Sequence, residues 1–89
     1  MDKKVIESYL NKAKSQPNHE VRFIEEGFCF LLYWVPKRSW FECTMLFNPK
    51  WPHSHHLYGK TNEDFIESLE EKIADAKQIF KNGGKYSAE

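Results

Sequence analysis

The sequence predicts an α+β fold of two layers. A three-stranded antiparallel meander, with room for a short fourth strand after it, carries both helices on one face in the order α-β-β-β-α. Three observations lead there. Apolar residues alternate from Val21 to Phe47, as a strand with one buried face requires. Two turn-forming links, Glu26-Gly27 and Pro36-Lys37-Arg38-Ser39, divide that stretch into three. Apolar stripes of helical period flank it on both sides.

The first helix is expected over residues 3–15. Asp2 is a natural N-cap, with Met1 and Ile6 spaced for a hydrophobic staple. Val5, Ile6, Tyr9, Leu10 and Ala13 fall on one stripe, and Pro17 ends the helix near Ser15 or Gln16.

Strands follow over 20–26, 28–35 and 40–47. Pairing across Glu26-Gly27 sets Glu25 against Phe28, Phe23 against Phe30 and Val21 against Leu32. Pairing across the four-residue link sets Trp34 against Phe41, Leu32 against Cys43, Phe30 against Met45 and Phe28 against Phe47. Side chains alternate faces along a strand. Val21, Phe23, Phe28, Phe30, Leu32, Trp34, Phe41, Cys43, Met45 and Phe47 therefore share one face. A slip of one residue would scatter that set, so the register is strongly specified. The reverse face carries Arg22, Ile24, Cys29, Leu31, Tyr33, Val35, Trp40, Glu42, Thr44 and Leu46, a mixture too apolar for a plain wetted surface.

The Asn48–Lys60 segment is long for a structureless connection in so small a domain. It either holds a short strand around Leu57-Tyr58 or serves as a functional loop. Thr61 with Asp64 is a capping pattern for a second helix over 62–82. Its stripe is Phe65, Ile66, Leu69, Ile73, Ala76 and Phe80, with Ile79 at the edge. Gly83-Gly84 stops it, and residues 84–89 are expected to fray.

The 89 residues make a single domain, 1–89, large enough for one modest core. Lys plus Arg equals Asp plus Glu at 13 each, which removes any bulk electrostatic pull toward nucleic acid or membranes. No apolar run is long enough to span a bilayer and no signal peptide opens the chain, so a cytoplasmic protein is expected. Cys29 and Cys43 fall on opposite faces of the sheet and are expected as small buried hydrophobes rather than a disulfide.

Four surfaces carry a functional reading. The first is the mixed sheet face, where Ile24, Leu31, Tyr33, Val35 and Trp40 form a patch suited to a protein partner or to a homodimer. The alternative is that the Asn48–Lys60 segment folds back over it. The second is the His53, His55, His56 cluster. Imidazoles suit a divalent transition metal or acid–base chemistry, with Glu42 and His19 as further candidates. No zinc-type spacing or catalytic motif accompanies them. The third is the acidic run Glu63, Glu67, Glu70 and Glu71, which suits a basic partner or is a solvated helix face.

The fourth is a topology. The α-β-β-β-α order is similar to that of double-stranded-RNA-binding domains and of some small ribonuclease toxins. The likeness implies basic residues meeting phosphates at the start of the second helix. Here that position reads Thr61-Asn62-Glu63-Asp64, with only Lys60 before it, so nucleic-acid binding is disfavoured. The residues favour a non-enzymatic protein-binding module of the inhibitor, immunity-type or adaptor kind, homodimeric in its simplest form. A metal-dependent or acid–base enzyme is the alternative.

Overall fold

A computed structural model describes residues 2–46 and 54–79. Helix α1 spans Lys3–Ser15, and strands β1 (Val21–Glu25), β2 (Phe28–Val35), β3 (Trp40–Leu46) and β4 (Ser54–Gly59) precede helix α2 (Asn62–Ile79). The four strands form one antiparallel sheet in the order β1-β2-β3-β4.

The expected register is the observed one. Phe23 faces Phe30, Leu32 faces Cys43, and Trp34 faces Phe41. Glu26 and Gly27 both hold positive φ, at 51° and 84°. That is the two-residue turn whose twist matches the flanking strands. In the second link Arg38 N–H donates to the Val35 carbonyl at 3.1 Å, and Ser39 N–H donates to that of Pro36 at 3.1 Å. The pairing of Phe28 with Phe47 lies outside the described residues.

Both helices pack on the apolar sheet face. From α1, Ile6, Leu10 and Ala13 join one cluster with Phe65, Ile66, Leu69, Ile73 and Ala76 of α2. Beneath them lie the inward residues of all four strands, Leu57 of β4 included. Tyr9 stacks on Phe23 at 4.6 Å between ring centroids, and Phe23 on Phe30 at 5.0 Å, a ladder running from helix into sheet. Val5 departs from the expected stripe and is 41 % exposed. It lies on the flank of the Ile6-Leu10-Ala13 face opposite Lys3 and Glu7, the residues that border α2. Trp34 is half-buried at the end of the same sheet face, where the Lys14 ammonium lies 4.8 Å from its ring.

The helix ends are capped as their sequences ask. Lys4 N–H donates to Asp2 Oδ1 at 2.9 Å, and Asp64 N–H donates to Thr61 Oγ1 at 3.1 Å. Lys77 Nζ bonds Glu26 Oε1, tying α2 to the β1–β2 turn. Phe80, Gly83-Gly84 and the tail lie outside the described residues, as does the Met1 half of the expected staple.

Of the two readings of the Asn48–Lys60 segment, the short strand around Leu57-Tyr58 is the one observed, as β4. It settles Ser54–Gly59 into the sheet, so that half of the connection extends the open face rather than folding over it. Residues 47–53 lie outside the described residues. The inserted strand also sets the order α-β-β-β-β-α apart from that of the RNA-binding domains.

Candidate functional site: the helix-free sheet face

On the face away from the helices, strand pairing arranges side chains in cross-strand rows. One row runs from Tyr33 on β2 to Glu42 on β3 and Tyr58 on β4. Tyr33 OH donates to Glu20 Oε1 at 3.0 Å, which brings Glu20 onto the same row just before β1. The next row is Arg22, Leu31, Thr44 and His56, and the one beyond it Ile24, Cys29 and Leu46. Val35 and Trp40 pair at the hairpin end.

The face is therefore graded. One end is apolar, with Ile24, Leu31 and Leu46 half-buried around Cys29, which is fully buried although it belongs to this face. The other end is aromatic and acidic. Trp40 Nε1 donates to Glu42 Oε1 at 3.0 Å, which fixes both side chains. The Trp40 and Tyr58 rings lie 5.5 Å apart at 58°. The Arg38 guanidinium covers Trp40 at 5.3 Å from the ring centroid. Thr44 Oγ1 and His56 Nδ1 are 3.3 Å apart, a hydrogen bond whose direction follows the imidazole tautomer.

Between these groups lies a furrow of about 250 Å³, lined by Tyr33, Glu42, Thr44, His56 and Tyr58 with part of Cys43. Tyr58 is 52 % exposed and presents a ring to solvent. The hydrogen bond to Glu20 raises the Tyr33 phenol above its ordinary pKa of 10.0, with partial burial and the Glu20 charge adding to it.

All five nominated patch residues, Ile24, Leu31, Tyr33, Val35 and Trp40, are half-buried on this face. Sequence reasoning missed Tyr58 and His56 as members of the same surface. The signal was present, because Leu57 turned inward sends its two neighbours outward.

The histidines separate. His56 pairs with Thr44 on the open face and its neighbour His55 pairs with Met45, so the two leave β4 on opposite sides. His53 lies outside the described residues. Among the described residues no three His, Cys, Asp or Glu side chains gather where they could hold a metal ion. Glu63, Glu67 and Glu70 line a shallow groove between the helices with Glu7, Ile66 and Lys3. Lys3 Nζ reaches Glu70 Oε1 at 3.8 Å there, an exposed pair of small energetic weight. Glu71 stands outside that groove, exposed.

Cys29 and Cys43 are both free and buried. Burial pushes the Cys43 thiol up, and neighbouring Cys29 adds to this against a lowering contact from the Leu31 backbone. The Cys43 thiol thus moves away from the lowered pKa of a reactive cysteine. No helix among the described residues is long and apolar enough to cross a membrane. In comparisons with known proteins, no family model, no curated protein and no solved structure matches this chain.

Proposed function

We propose that this chain is a small non-enzymatic protein-binding module, of the inhibitor, immunity-type or adaptor kind, and that it works through the helix-free sheet face. One observation carries the reading. Ile24, Leu31, Tyr33, Val35 and Trp40 form a contiguous half-exposed surface across three strands, and β4 adds Tyr58 to it. Aromatic residues on a rigid sheet give large contact area for little ordering entropy, which is why they dominate binding hot spots. The chosen occupant is a different protein with a basic contact surface. Glu20 and Glu42 both lie on this face, where they accept from the neutral donors Tyr33 and Trp40 among their contacts.

A homodimer is the second reading, and one feature favours it. Glu20 and Arg22 are alternate residues of the same strand end. Two copies stacked face to face about a two-fold axis across the strands would set the Glu20 of each over the Arg22 of the other.

The test uses Trp40→Ala and Leu31→Glu variants that keep the native circular dichroism spectrum. For the full chain with a binding partner isolated from its source, affinity should fall roughly ten-fold or more with either change, as hot-spot truncation does. Sedimentation velocity reads the homodimer in parallel, and a dimer that both variants dissolve would favour the second reading. Unchanged partner affinity together with an unchanged sedimentation profile would overturn the use of this face.

A further inference from the structure

We propose that the furrow between β2, β3 and β4 is a receptor for a single basic side chain of the partner protein, arginine above all. The inference rests on the protein-binding reading and names what the face recognises. Its floor and walls are few and chemically distinct: Glu42, Thr44 and His56 supply polar atoms, and Tyr33 and Tyr58 supply aromatic walls.

Three features select a cation. The Glu42 carboxylate is held by the Trp40 indole N–H at 3.0 Å. That neutral donor occupies one of about four lone-pair directions on an ionised carboxylate and leaves its charge in place. The Tyr58 ring, 52 % exposed beside it, offers the negative face of an aromatic quadrupole. The neighbouring surface already holds a guanidinium in this way, Arg38 lying 5.3 Å over the Trp40 ring. An anion would meet the Glu42 carboxylate. An apolar side chain would strip water from Glu42, Thr44 and His56 and return no hydrogen bond.

Size and shape narrow the choice. A space of about 250 Å³ open to solvent suits the end of one side chain rather than a cofactor. Between the two basic residues, arginine fits better. Its planar guanidinium can stack on Tyr58 and donate two parallel N–H groups to a carboxylate, whereas an ammonium acts as a compact, strongly hydrated charge.

The experiment titrates the full ¹⁵N-labelled chain with N-acetyl-arginine amide and, separately, with the citrulline equivalent. Citrulline is the neutral isostere. Arginine should shift the amide resonances of Glu42, Thr44, His56 and Tyr58 in a saturable way, and citrulline should bind at least roughly five-fold more weakly. Glu42→Gln, checked for retained spectral dispersion, should weaken arginine by roughly ten-fold, the loss of one charge-assisted contact. Equal shifts from arginine and citrulline, or shifts centred on the Glu63, Glu67 and Glu70 groove, would overturn the proposal. It would fall alone if arginine is not bound while the Trp40→Ala variant still loses its partner. Both readings would fall together only if that variant also leaves affinity and assembly unchanged.

Discussion

Gly59 and Phe65 touch backbone to backbone. A β-carbon placed on Gly59 would stand 2.7 Å from the Phe65 Cα and 2.7 Å from its amide nitrogen. Neither atom belongs to a side chain that can swing away. The contact lies where β4 hands the chain to α2, and it draws the first turn of the helix tight against the edge of the sheet. Phe65 can then reach Phe41 at 5.8 Å between ring centroids. The same docking holds β4 in register, and with it Tyr58 and His56 on the open face.

Gly59→Ala should therefore lower stability by about 1–3 kcal/mol, the usual cost of forcing atoms into a packed site. Urea denaturation measures it. The midpoint should fall while the slope stays constant, because the unfolded chain exposes the same surface. A stability equal to that of the parent chain would mean that α2 does not sit this close to β4.

The register predicts opposite costs for adjacent residues. Phe30 is fully buried beneath the helices, and Leu31 is half-buried on the open face. Phe30→Ala should cost about 3–5 kcal/mol and Leu31→Ala about 1 kcal/mol or less. A slip of one residue would reverse that order, so thermal or chemical denaturation of the two variants checks the whole sheet.

The thiols should be silent in the folded protein. Cys29 and Cys43 are both buried, and burial holds Cys43 in its protonated form. A thiol-specific chromogenic reagent at mildly alkaline pH should react with both cysteines in denaturant and with neither at a comparable rate in the native state. Native labelling would then follow the opening of the sheet. Rapid reaction of one thiol without denaturant would contradict this burial.

Tyr33 should report its bond to Glu20. The phenol is raised above 10.0 because ionising it breaks a hydrogen bond to a carboxylate and sets two negative charges together. Tyr33 faces Glu20 on one side and, across the β2–β3 pair, Glu42 on the other; Tyr58 lies beyond Glu42 in the same row. The folded protein thus holds this proton more tightly than the unfolded chain. The contribution to stability is complete below pH 10.0 and is lost as pH rises through the higher folded-state value. Ultraviolet titration of tyrosinate should show a phase above pH 10.0 that Tyr33→Phe removes and Glu20→Gln moves down. A titration indifferent to Glu20→Gln would show that the hydrogen bond is not formed in solution.

Much of this fold is legible from the chain because it depends on local chemistry. Glu26-Gly27 takes positive φ at both positions, and that turn leaves only one pairing that gathers Phe23, Phe30 and Met45 on one side. Asp2 and Thr61 mark helix starts by donating no structure of their own beyond a side-chain oxygen two or three residues from an unpaired N–H. The patch on the reverse face followed from the same alternation. The fourth strand was harder to read. Ser54, His55 and His56 carry little β preference, and of the described side chains on this edge strand Leu57 is the one in the core cluster.

Each segment's type, its two faces and the order in which the first three strands meet are written along the chain. Tertiary structure alone decided how those faces combine. Glu42 and Tyr58 are neighbours because β4 pairs with β3, and His55 and His56 part because an extended strand turns them to opposite sides. Periodicity is a property of one segment and can be counted along it. A furrow walled by three strands depends on distances between segments, and those are fixed only when the packed core selects one mutual arrangement.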